Sequence, residues 1–350
     1  MKHSSLPRRD LLASLPALLL APAALAQVDP GAGQPAGARP RIRPTPGQEG
    51  ITFPFALAAC WADDFGALSE VRLHARMDCV IGVRTTRQPA NDDESCAMLL
   101  SIGAAAECCA MLASASMAGS GILYVPPKES GDLVQISVRI GQVKKGSNPD
   151  AVRSAAAIFS RPDPRGAMDP AWSPTPEILD KVRLAMTDQN CVGAVVPQDR
   201  RPEFLKCLRA LAKASPAIAT AIGDITLWET GCTPMVVGRG PASSMQTAIN
   251  SGRTMQRSAL FAAQYDASLD LRILLPGVFE AASAHGPEAT EAAKTLALML
   301  GTPGFEPIAV ARLGKLVAPK PRTVPPYMQI LAPSIEAPEV KPAASKPAQG

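Results

Sequence analysis

Val134-Gln135-Ile136-Ser137-Val138-Arg139-Ile140 alternates apolar and polar side chains with a period of two, the pattern of a strand buried on one face. Upstream, Asp92 to Met117 follows another rule. Small and apolar residues run without alternation, and Asp92 and Asp93 stand where the positive end of a helix dipole welcomes acids. That stretch reads as a helix. Glu107 interrupts its apolar run, and a membrane span would have to carry this carboxylate through lipid, so the helix is expected inside a protein core, packed closely through Gly103, Ala104 and Ala105. A strand and a buried helix together place the chain in the α+β class.

The same grammar recurs further along. Thr175 caps and Pro176 takes the first helical position before the stripe Ile178, Leu179, Val182, Ala185 and Met186. A second helix near Glu203 to Ala214 sets Phe204, Leu208 and Leu211 on one face, away from Lys206, Arg209 and Lys213, and Pro216 is expected to stop it. Cys191 to Val196, Ile225 to Trp228 and Met235 to Val237 are short apolar runs suited to strands. Asp132-Leu133 and Asp270-Leu271 each open a strand, and Pro149-Asp150-Ala151 and Pro287-Glu288-Ala289 each start a helix. An interval of 138 residues separates both pairs, which suggests two similar-sized α+β halves related by an internal duplication.

Residues 1–26 carry Lys2, Arg8 and Arg9, then an apolar run from Leu11 to Leu25 and the small-x-small site Ala24-Leu25-Ala26. This is a signal peptide pattern, with cleavage expected before Gln27. Arg8-Arg9 followed by Asp10-Leu11-Leu12 resembles a twin-arginine leader, the export route of already folded proteins. The protein is therefore expected in the periplasm or outside the cell, with no transmembrane anchor after cleavage. Residues 27–50 form a Pro/Gly-rich linker, 51–160 a first domain, 161–176 a second linker, 177–317 a second domain and 318–350 a disordered tail rich in Pro, Lys and Ala.

Among 350 residues, 35 Lys and Arg against 31 Asp and Glu give a net charge of +4, too balanced for a nucleic-acid footprint. Aromatic residues are only 4%, which leaves little for stacking on bases or sugars.

Export colours the reading of the eight cysteines, Cys60, Cys79, Cys96, Cys108, Cys109, Cys191, Cys207 and Cys232. In an oxidising compartment they are disulfide candidates, although adjacent Cys108 and Cys109 are too close to pair with each other. Small buried hydrophobes are the alternative. No CxxC or Cys/His knuckle is present, so no metal site is expected.

Chemistry leaves a fainter trace. Gly238-Arg239-Gly240 follows the Met235–Val237 run and precedes a helical stretch, with Asp266 after the apolar run Leu260 to Tyr265. These residues resemble part of a Rossmann dinucleotide fingerprint, which implies NAD or NADP with its pyrophosphate at a helix N-terminus. Ser243 stands where the third glycine belongs, and Pro241 removes an amide donor. Cys60-Trp61-Ala62-Asp63-Asp64 with His74 supplies a thiol, carboxylates and an imidazole, but a disulfide cysteine, a surface acidic turn and a satisfied histidine are the preferred account of them. No serine-hydrolase, Walker or zinc-protease motif occurs, and no catalytic residue is assigned. The leading expectation is an exported, two-domain, non-catalytic protein that binds a small solute or a protein partner without a cofactor. The alternative is an exported oxidoreductase with a dinucleotide at the Gly238–Gly240 turn.

Overall fold

The computed structural model describes residues 49–323, apart from 64, 77–79, 86, 117–119, 126–134, 141–148, 241–244 and 275–283. The leader, most of the first linker, Cys79, the Asp132-Leu133 pair and the tail from residue 324 lie outside the described residues. The described chain holds eight α-helices and two four-stranded sheets. In order these are α1 (Glu49–Cys60), β1 (Val71–Arg76), β2 (Val80–Thr85), α2 (Asp92–Ser116), β3 (Ser120–Val125), β4 (Gln135–Ile140) and α3 (Pro149–Ser160). Then follow α4 (Pro176–Ala185), β5 (Cys191–Val195), α5 (Arg201–Ala214), α6 (Pro216–Ile222), β6 (Thr233–Arg239), α7 (Met245–Gln264), β7 (Ser268–Ile273), α8 (Pro287–Leu300) and β8 (Glu306–Gly314).

The mixed α+β expectation holds, and each sheet is antiparallel throughout. Their orders are β1-β2-β4-β3 and β5-β6-β8-β7, the same plan twice. The interval of 138 residues does not follow that plan. It sets Pro149, whose helix follows the inner strand β4, against Pro287, whose helix lies between the edge strand β7 and the inner strand β8.

Alternation along the inner strands explains the layering. Met235 and Val237 of β6 and Ala309 and Ala311 of β8 face a large core shared with α1 and α2, whereas Val236 and Val310 point to a second core with α5 and α8. In the first sheet Val83, Ile136 and Val138 are buried in that same large core, which thus runs without a break through both halves. The expected linker is held firmly too: Asp163 N–H donates to the Lys320 carbonyl, Asp169 N–H to Lys315, and Val317 N–H returns to Ala167.

Helix α2 has no continuous polar face because it is enclosed. It meets α1, α3, α7 and the first sheet. By length and composition its Asp92–Ala115 stretch would suffice to cross a membrane, but from Cys96 to Ala113 it is buried inside the protein, apart from the half-buried Met111. Its start is secured by Asn91, whose Oδ1 accepts from the Glu94 N–H at 2.8 Å. The closest approach is between α2 and α7. A Cβ added to Gly103 would lie 2.1 Å from the Ile249 carbonyl oxygen, and one added to Gly252 would lie 2.1 Å from that of Leu100. Two glycines thus let the central helices touch backbone to backbone.

Local signals elsewhere act as expected, with two exceptions. Thr175 Oγ1 caps α4 by accepting from Ile178 N–H, and α5 buries Phe204, Leu208 and Leu211 while its lysines stay exposed. Pro216 does more than stop α5, since it opens α6 with Ser215 as its cap. Ile225–Trp228 is a 3-10 turn and not a strand. Asp224 Oδ1 accepts from both the N–H and the hydroxyl of Thr226, and this cap winds the chain before an extended run can begin.

Candidate site at the helix crossing

Glu107 needed a partner as soon as it was buried, and α7 supplies two. Arg253 and Arg257, one turn apart on the same face, each donate Nε to one carboxylate oxygen, at 3.0 Å to Oε2 and 2.8 Å to Oε1. The Glu107 side chain is 5% exposed, the arginines 24% and 33%. Burial works against the Arg257 charge, but Glu107 outweighs it and holds the guanidinium above its ordinary value.

Two cavities meet at this pair of arginines. One, of about 280 Å³, is bordered by Ala110, Met111, Ser114, Ile122 and Ser154; the other, of about 450 Å³, by Asp188, Gln189, Asn190, Asn250 and Thr254. Both are lined by Arg253 and Arg257. The loop 188–190 is docked on α7, because Asp188 Oδ2 accepts from Thr254 Oγ1 at 2.9 Å and the Asn190 carbonyl from Ser251 Oγ at 3.2 Å.

A count of donors and acceptors shows what the cleft offers. Asp188 Oδ1 already accepts from the N–H groups of Asn190 and Cys191, and both Glu107 oxygens are taken. Arg253 spends one Nη on Asn250 Oδ1. The bond from Arg257 to Glu107 uses Nε, which leaves its two Nη groups for another partner. The cleft therefore presents a surplus of N–H donors beside an apolar patch from Ala110, Met111 and Ile122. That arrangement suits an acceptor-rich ligand with a flat apolar part.

The structure does not bring the dinucleotide residues together. Gly238 is inside the inner strand β6, where a Cβ would meet Leu300 Cδ1 at 2.6 Å, and the Gly240 N–H is spent on the Asn190 carbonyl at 2.8 Å. Asp266, with a φ of 54°, is past the far end of the 20-residue helix α7, roughly 30 Å of helix from the glycines. Pro241 and Ser243 lie outside the described residues.

The disulfide framework is overturned. Cys60, Cys96, Cys108, Cys109, Cys191, Cys207 and Cys232 are all free and buried. They are spread along α1, α2, β5, α5 and the turn before β6, where each fills the space of a small apolar residue. Burial pushes the Cys60 and Cys108 thiols up to about 12, so neither is poised as a nucleophile. Cys60 and Asp63 form no catalytic pair, and the side chain of His74 lies outside the described residues. Asp63 is bound by Arg161 and Arg322, each at 2.9 Å; burial raises its pKa, but the two guanidinium groups prevail and hold it below the usual carboxylate range. No group of three or more metal-ligating side chains occurs among the described residues.

No family model matches the chain, and no curated protein sequence does. Solved structures do resemble it. A nitroreductase with bound FMN from Desulfitobacterium hafniense is 17% identical, with a TM-score of 0.38, over 51% of this chain and 97% of that one. A nitroreductase-like family protein from Bacillus cereus is 14% identical, with a TM-score of 0.37, over 56% and 100%. An NADPH:FMN oxidoreductase from Vibrio harveyi, complexed with NAD+, is 12% identical, with a TM-score of 0.36, over 53% and 79%. FMN is named with the first of these neighbours, and FMN and NAD+ with the third. No residue role is carried over at such low identity.

Sequence reasoning singled out Glu107 but missed Arg253, Arg257, Asp188 and Asn190. Only the demand of a buried carboxylate for a cation hinted at them.

Proposed function

We propose that the chain is an oxidoreductase that holds a flavin mononucleotide in the cleft at the crossing of α2 and α7. The observation that carries this reading is the free Nη donors of Arg257, with the Glu107 and Asp188 carboxylates engaged internally and an apolar patch alongside. The residues present fit such a group. Arg257 and Arg253 would hold the phosphate by charge-assisted hydrogen bonds. Met111 and Ile122 would cover the ring and exclude water. When bound, a flavin supplies hydride transfer, with a nicotinamide cofactor as the class of reductant. Glu107 is a positioning residue, since it fixes both guanidinium groups through Nε and so aims their remaining donors.

The leader with Arg8-Arg9 supports export after folding, a route that suits a protein loaded with its cofactor beforehand. The shared strand order supports descent of the two halves from a duplicated unit.

The test is oxidation of NADH or NADPH by protein reconstituted with FMN in air, with dioxygen as the acceptor that reoxidises the reduced flavin to close the cycle. Turnover that needs both protein and FMN is expected. Protein that retains no FMN and oxidises neither nucleotide would refute the reading.

A further inference from the structure

The contacts at the helix crossing come in exchangeable pairs. Gly103 rests on the Ile249 carbonyl and Gly252 on that of Leu100. The spacing that carries Leu100 to Ile249 also carries Gly103 to Gly252, Glu107 to Gln256 and Cys108 to Arg257. The contact between Glu107 and Arg257 therefore has a mate, and that mate exists: Gln256 Nε2 donates to Cys108 Sγ at 3.2 Å. Together with the repeated strand order, these pairs define an approximate two-fold relation through the crossing. An aspartate attends each end, Asp188 three residues after α4 and Asp63 three residues after α1.

The two ends differ in what fills them. At one, Arg253 and Arg257 line open cavities and are 24% and 33% exposed. At the other, the Asp63 N–H donates to Gln256 Oε1 at 2.8 Å, and its carboxylate is clamped between Arg161 and Arg322, whose side chains are 5% and 11% exposed. Arg322 also donates to the Ala62 carbonyl at 2.9 Å, and Arg161 to that of Trp61. Cys108 and Gln256 lie beneath, fully buried.

We infer that the Asp63–Arg161–Arg322 cluster is a plug seated in a second, closed copy of the cleft, so that one chain takes one ligand, at the Arg257 end alone. The ligand's identity rests on the flavin reading, whereas the plug does not. Arg322 comes from the segment after β8 and is the plug's natural latch.

Two measurements test it. The first is native alkylation by iodoacetamide, with the modified cysteines located by mass spectrometry. Cys108 should be protected in the unaltered protein, and Arg322→Gln should speed its labelling about tenfold by removing charge-assisted bonds that hold the plug down. Fast Cys108 labelling in the unaltered protein, or no change in Arg322→Gln, would overturn the plug. The second needs no variant: titration with FMN should saturate at one per chain, and two per chain would overturn the inference. A chain that takes up no FMN would refute the flavin reading, and the labelling would still decide the plug.

Discussion

A Cβ on Gly252 would stand 2.1 Å from the Leu100 carbonyl oxygen, so the closeness of the two central helices is set by what Gly252 lacks. Because the obstacle is backbone inside a shared core, no side-chain rotation can relieve it. Gly252→Ala should separate the helices and cost about 3 kcal/mol or more, well beyond the helix-propensity gain of alanine. Urea denaturation checks this: the midpoint should fall markedly, whereas an unchanged midpoint would mean that the crossing is loose.

The buried thiols give a pH dependence of definite sign. Cys60 and Cys108 are raised from about 9 to about 12 by burial, so the folded state keeps protons that the unfolded chain releases. Their contribution is fully present below about pH 9 and is lost as pH rises from there toward 12. Denaturation midpoints at a series of alkaline pH values should therefore decline, and Cys60→Ala should flatten part of the decline. Thiol titration in denaturant without reductant should find every one of the seven described cysteines free.

What could be read from the sequence was what is decided locally. The β4 alternation, the acidic start of α2 and the Thr175-Pro176 cap each depend on a few neighbouring residues, and each formed as expected. The Ile225–Trp228 run failed because an apolar run does not reveal the competing cap from Asp224. The site was hidden for a different reason. Glu107 meets Arg253 and Arg257 across 146 and 150 residues, and two arginines one turn apart look like any solvated helix face until the opposite surface is known. The Gly238–Asp266 fingerprint misled in the converse way, since it counts residues but takes no account of the straight helix that keeps its ends apart.

The positioning role of Glu107 can be separated from simple stability. Glu107→Gln keeps the shape but leaves Arg253 and Arg257 with a neutral partner, and the partial exposure of both arginines limits the cost to about 1–3 kcal/mol. The variant should fold, with a lower midpoint, and should bind FMN more weakly than the unaltered protein. FMN affinity equal to that of the unaltered protein would reduce Glu107 to a structural tie.

The most direct test of the flavin cleft is calorimetric titration of ligand-free protein with FMN and with riboflavin, repeated on Arg257→Met. Arg257 engages the phosphate in this account. The variant should therefore weaken FMN binding about tenfold to a hundredfold, the worth of charge-assisted hydrogen bonds, and leave riboflavin affinity nearly unchanged. No FMN binding to the unaltered protein, or FMN binding that Arg257→Met leaves intact, would contradict it.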